Sequence, residues 1–81
     1  MKVKVIYFAV YSELLGKREE SISIEKGTTV KQAFEKCTKG LTERKKLLEA
    51  TMFAVNDEYV DSTVSLKDGD ELVFIPPVSG G

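Results

Sequence analysis

The sequence closes on Ser79-Gly80-Gly81, a tip with no Cβ at its last two positions and the terminal carboxylate as its only charge. Just before it, Pro76 and Pro77 forbid a helix and hold the backbone extended. From Leu72 onward no side chain is charged. A stiff stalk ending in a thin, freely rotating arm can thread a channel that any bulky side chain would block. A frayed or engineered end is the competing reading of Gly-Gly alone. The other reactive group is Cys37, the one thiol of the chain. It lies on a helical apolar stripe, where a small buried thiol is expected to be inert rather than a sulfur carrier.

Other chemistry is excluded by residue type. There is no His, which removes Ser–His and Cys–His nucleophilic machinery, imidazole acid–base work and His-containing metal sites. One Cys makes neither an internal disulfide nor a cysteine metal cage, and no glycine-rich phosphate loop precedes a helix. No metal site is expected. Twelve Lys plus Arg against thirteen Asp plus Glu give a net charge of -1, unlike the basic excess of a nucleic-acid binder. No apolar run approaches the ~18 residues of a membrane span, so a soluble, cytoplasmic protein is expected. Chemistry carried by this chain must use an unusual group or be supplied by a partner.

Eighty-one residues suffice for one domain with a single core. The run Met1–Val10 is rich in β-branched and aromatic residues and reads as a strand. Ser12–Gly16 reads as a turn or single helical turn stopped by glycine. Glu20–Glu25 alternates around Ile22 and Ile24 and is expected to pair with the first strand as a hairpin. Thr29-Val-Lys-Gln32 has the spacing of a capping box, and Val30, Ala33, Phe34 and Cys37 fall on one helical stripe. Gly40 stands where a left-handed C-cap is expected. A second helix is expected from about Thr42 to Glu49, with Leu47 and Leu48 inward.

Met52–Val55 reads as a third strand, and Asn56-Asp57 as a tight turn into Tyr59-Val60. Leu66–Asp70 is a turn feeding the last strand, Glu71–Ile75. The order predicts an α+β fold: a mixed sheet of about five strands, one main helix and one short helix. The first and last strands, the most apolar pair, are expected side by side at its centre. Residues 1–75 form the domain and 76–81 the tail. Residues 31–46 carry six basic side chains against two acids, and residues 49–71 carry seven acids against Lys67. These are either solvated faces or a surface that steers partners.

Three blocks resemble the small subunits of molybdopterin synthase. Leu66-Lys-Asp-Gly-Asp-Glu-Leu-Val-Phe-Ile-Pro-Pro-Val-Ser-Gly-Gly81 is similar to that family's D-G-D-E-V stretch followed by F-P-P-V-[ST]-G-G. Phe8-Ala-Val-Tyr-Ser-Glu-Leu-Leu-Gly16 resembles its F-A-x-x-R-E-L-x-G, and Phe53-Ala-Val-Asn56 its A-V-N. The blocks fall in the family's order and span the chain, with Ser12 departing where the family often has a basic residue.

The resemblance implies a ubiquitin-like β-grasp. It further implies a sulfur carrier, itself non-catalytic, whose Gly81 is adenylated by an ATP-dependent activating enzyme and converted to a thiocarboxylate. Pro76, Pro77, Val78, Ser79 and Gly80 would thread the partner active sites. The implied partners are the synthase large subunit, in a heterotetramer, the activating enzyme and a sulfur-donor protein. ATP would be consumed by the activating enzyme, with no cofactor held permanently by this chain. A carrier for thiamine or tRNA sulfur, or a protein modifier joined through Gly81 to lysines, is the alternative.

Strand neighbours face opposite sides, and one helix covers one face. Some of Tyr7, Phe8, Phe74 and Ile75 must therefore lie on the open side. Phe8, Phe74 and Ile75 are the expected partner-facing residues, with simple partial exposure as the equal alternative.

Overall fold

Residues 1–77 are described by a computed structural model of the chain. The elements run β1 (Lys2–Tyr7), α1 (Val10–Leu15), β2 (Glu19–Ser23), α2 (Val30–Cys37), α3 (Arg44–Ala50), β3 (Met52–Val55), β4 (Glu58–Val60) and β5 (Glu71–Ile75). The five strands form one sheet in the order β2-β1-β5-β3-β4. Only the β1–β5 pair is parallel; the others are antiparallel. Thus the first and last strands are neighbours near the middle, and β5 is flanked by β1 and β3. Helix α2 lies across one face, which is the β-grasp arrangement.

Local chemistry explains the main elements. Thr29 and Gln32 form the full capping box: Gln32 N–H donates to Thr29 Oγ1 at 3.2 Å, and Thr29 N–H donates to Gln32 Oε1 at 2.9 Å. Two orphan donors at the start of α2 are thereby satisfied. Val30, Ala33 and Phe34 are buried and Cys37 is half-buried against the same core. Asn56 and Asp57 both take positive φ, 51° and 70°, the mirror-image turn whose twist suits a two-residue hairpin between β3 and β4.

The structure corrects three boundaries. The first strand ends at Tyr7, and Val10 opens α1, a six-residue helix closed by Gly16 in the left-handed conformation at φ 70°. Gly40 does not cap α2. Thr38 does, fully buried, with its backbone N–H and its hydroxyl both donating to Phe34 O at 3.0 and 2.7 Å. Helix α3 starts at Arg44, two residues later than expected, after Glu43 at φ 55°; Leu47 and Leu48 pack against the core as expected.

The core lies between α2 and the facing side of the sheet and is centred on Phe74. Its ring lies 5.5 Å from Tyr7, 5.7 Å from Tyr11, 5.1 Å from Phe34 and 5.6 Å from Phe53, all tilted or edge-on. Such arrangements set the positive edge of one ring against the negative face of another. Val3, Val5, Ile22, Val30, Leu66 and Leu72 close the core around the rings.

Candidate functional site

The register of β5 sorts its side chains by face. Leu72 and Phe74 point to the core and are 0% exposed. Val73 and Ile75 belong to the other face, which no helix covers. Along one cross-strand row of that face stand Ile6, Val73, Ala54 and Tyr59, given by the pairs Ile6↔Val73, Ala54↔Val73 and Ala54↔Tyr59. The next row brings Ile75 opposite Met52. Val73 and Ala54 are screened by their neighbours, whereas Met52 is 55% and Tyr59 70% exposed. The result is an apolar patch on the open face at the end of β5, bordered by Lys4, Glu19 and Glu71.

Phe74 therefore does not belong to a partner-facing surface. It is the hub of the core, because alternation along β5 turns it toward α2. Ile75 is half-buried on the open face, and Phe8 is 51% exposed one residue beyond the Tyr7↔Phe74 pair. Pro76 is half-buried and Pro77 exposed, both outside any strand. Val78, Ser79, Gly80 and Gly81 lie outside the described residues. Met52, Tyr59 and Ile6 were not singled out from the sequence. The Asn56-Asp57 turn signal, followed through the hairpin register, would have found Tyr59 opposite Ala54.

Three segments meet at the root of the tail: the end of β1 with the start of α1, the end of β5, and the start of β3. Exposed Phe8, Val10 and Met52 rim this place. The connection from β1 to α1 is a tight turn in which Tyr11 N–H donates to Phe8 O at 3.0 Å. Ala9 within it has φ 46° and ψ -119°, a conformation that favours glycine. For a residue with a Cβ this costs on the order of 1–3 kcal/mol, and it persists only where the surroundings enforce it. Ser12 contributes to that enforcement: its backbone N–H and its hydroxyl both donate to Ala9 O, at 3.0 and 2.8 Å.

Tyr11 is 1% exposed, edge-on to Phe34 and Phe74, and its hydroxyl is bonded to the hydroxyl of Thr51. Thr51 Oγ1 also donates to Leu47 O. Since a Thr hydroxyl has one proton, Tyr11 is the donor to Thr51. Burial raises the Tyr11 pKa.

Cys37 stands apart from the tail root, on α2. Burial pushes its thiol above the ordinary value, which disfavours the nucleophilic thiolate. Nearby, the Tyr7 hydroxyl donates to the Glu20 carboxylate, which also pairs with Lys17 at 3.2 Å. That bond holds the Glu20 carboxyl below its usual range, while burial, Cys37 and Glu20 raise the Tyr7 pKa. Among the described residues no group of three or more His, Cys, Asp or Glu is placed to hold a metal ion. No helix among them is long and apolar enough to cross a membrane.

Comparison with known proteins agrees with this geometry. The sequence profile of the ThiS family matches residues 5–81. The molybdopterin synthase sulfur carrier subunit of Chlamydomonas reinhardtii is 34% identical, with all of both chains covered. Among solved structures, a protein described as molybdopterin converting factor, subunit 1, from Pyrococcus furiosus is 35% identical. It superposes with a TM-score of 0.77 over 96% of this chain and 99% of that one. A complex of subunits 1 and 2 of the molybdopterin-converting factor from Helicobacter pylori contains a chain 27% identical to this one. There the TM-score is 0.66 and both chains are fully covered. With the profile match spanning nearly the whole sequence and the β-grasp described above, this chain belongs to the ThiS family.

Proposed function

We propose that this chain is the sulfur carrier subunit of molybdopterin synthase, acting in the cytoplasm as the non-catalytic donor to a large subunit. The observation that carries the reading is the full-length 34% identity to a relative bearing that name, with the tail motif included. The complex of two converting-factor subunits in Helicobacter pylori supports a large-subunit partner. The synthase assembles as a heterotetramer, and the chain holds no resident cofactor.

A carboxylate resists nucleophilic attack, so Gly81 must be activated before sulfur can be attached. A separate activating enzyme transfers AMP from ATP to the carboxyl oxygen and releases pyrophosphate. Hydrosulfide released by a sulfur-donor protein then adds to the acyl carbon and expels AMP, leaving a thiocarboxylate and a proton. That group is a soft anionic nucleophile on a tether. Seated in the large subunit beside a pyranopterin precursor, it reacts as if intramolecular, which supplies several kcal/mol through orientation. The sulfur ends in the dithiolene of molybdopterin.

Each residue of the tail has a part. In this reading Pro76, Pro77, Val78, Ser79 and Gly80 thread the partner active sites, and the missing Cβ of Gly80 leaves room beside the reacting carbonyl. The open sheet face, with Ile75 and Phe8 at its end, supplies the docking contact, a use suited to an uncovered apolar surface.

Intact-mass measurement after incubation with the activating enzyme, ATP and a sulfur source tests this. One oxygen of Gly81 should be replaced by sulfur, and the product should support dithiolene formation with the large subunit. Deleting Gly81 should abolish both without changing the melting temperature. Gly80→Val should keep the fold and sharply slow adenylation and transfer. Full activity without Gly81 would sink the reading. Attachment of Gly81 to lysines, with no thiocarboxylate formed, would favour a protein modifier instead.

A further inference from the structure

Nothing in the tail chemistry requires a tyrosine in the core beneath the tail root, yet Tyr11 is buried there with a polar group that needs a partner. Its hydroxyl donates to Thr51, the residue that joins α3 to β3, and Thr51 in turn bonds Leu47 of α3. One hydrogen-bonded chain therefore ties α1, β3 and α3 together behind the rim formed by Phe8, Val10 and Met52. Met52 directly follows Thr51, and Val10 directly precedes Tyr11. Ala9, two residues before Tyr11, holds a backbone conformation that only an enforcing environment maintains. The edge-on rings and the hydroxyl bond at Tyr11 are that environment on the C-terminal side of the turn.

We propose that Tyr11 is a positioning residue: through its bond to Thr51 it locks the strained Phe8–Tyr11 turn against the start of β3 and so fixes the spacing of the apolar rim around the tail root. This rests on the sulfur-carrier reading, because the rim is what the large subunit meets as the tail enters it. A fixed rim spares the complex the entropy of ordering these side chains on docking. Tyr11 would thus act on the affinity for the large subunit, not on the transfer step at Gly81.

Ala9→Gly relaxes the strained turn and leaves the Tyr11–Thr51–Leu47 chain of hydrogen bonds in place. That separates stability from positioning. Tyr11→Phe should lower the melting temperature and weaken binding to the large subunit by about threefold to tenfold, the scale of one side-chain hydrogen bond. Ala9→Gly, which removes the strain, should melt no lower than wild type and also bind more weakly.

The measurement is single-turnover sulfur transfer from chemically prepared thiocarboxylate against large-subunit concentration, at a temperature where all variants are folded. The half-saturating concentration should rise and the plateau rate should stay at the wild-type value. Wild-type affinity in Tyr11→Phe or in Ala9→Gly, or a fall in the plateau rate, would overturn the proposal. A wild-type chain that neither binds nor transfers would instead overturn the sulfur-carrier reading, and the proposal with it.

Discussion

The two faces of β5 differ in cover, not in hydrophobicity. Leu72 and Phe74 face α2 and are wholly buried; Val73 and Ile75 are as apolar and face away from it. On the covered side, aromatic rings interlock around Phe74 at centroid distances of 5.1–5.7 Å. On the other, Met52 and Tyr59 remain largely exposed. Parity decides which side a residue takes and cover decides the rest: Val73 is screened by its neighbours, whereas Met52 and Tyr59 on the outer strands stay open. A one-residue slip of β5 would exchange the two sides.

The comparison breaks most readily at Phe74. Phe74→Ala removes the ring that four others contact and should cost about 3–5 kcal/mol in chemical denaturation. A loss below 1 kcal/mol would mean the covered face is not the stabilising one. Cys37→Ala, at the half-buried end of the α2 stripe, should cost about 1 kcal/mol and leave sulfur transfer intact. A persulfide on Cys37 with activity lost on substitution would overturn the core assignment.

Glu20 sharpens the comparison at the edge of the covered face. Its carboxyl is held low by Tyr7, so its contribution is present above the unfolded carboxylate value and is lost as pH falls through the folded one. Glu20→Gln should lower stability by a fraction of a kcal/mol in the neutral region, where the carboxylate contributes, and leave the acid end almost unchanged, so that the acid-side decline flattens. An unaltered slope would remove Glu20 from the acid response. The smallest stability effect belongs to the open face: Met52→Ser should shift unfolding by no more than about 0.5 kcal/mol, while weakening docking to the large subunit. A strongly destabilised Met52→Ser would show that face to be part of the core.

Much of this was legible in the residues, for identifiable reasons. The capping box at Thr29, the 3.6-residue stripe of α2 and the Asn-Asp hairpin are local signals whose physics stays within a few residues. The tail motif is equally local, and its pattern carried the family. The facing of β5 was not legible, because a strand apolar on both sides has no period-2 contrast, and Phe74 was placed on the wrong side for that reason. Helix α1 is six residues long, too short for periodicity to declare it, so Val10 read as strand. Gly40 looked like a cap by type, but Thr38 supplied the same satisfaction earlier. The Tyr11–Thr51 bond joins residues forty apart and left no sequence mark.

The parallel pairing of β1 with β5 has a consequence for how the molecule comes into being. Lys4 lies beside Glu71 and Tyr7 beside Phe74, so the central seam joins the two ends of the described chain. Closing a loop of that length is entropically costly, and folds dominated by such distant contacts assemble slowly. A nascent chain that has not yet released residues 71–75 holds a β1–β2 hairpin with an open edge and a core without Phe74. Proteolytic nicking before Glu71 would return a mature molecule to the same incomplete condition. A folded body is therefore a sign that β5, from which the tail leaves, is in place, and quality control that discards unfolded chains would also discard those cut short before that strand.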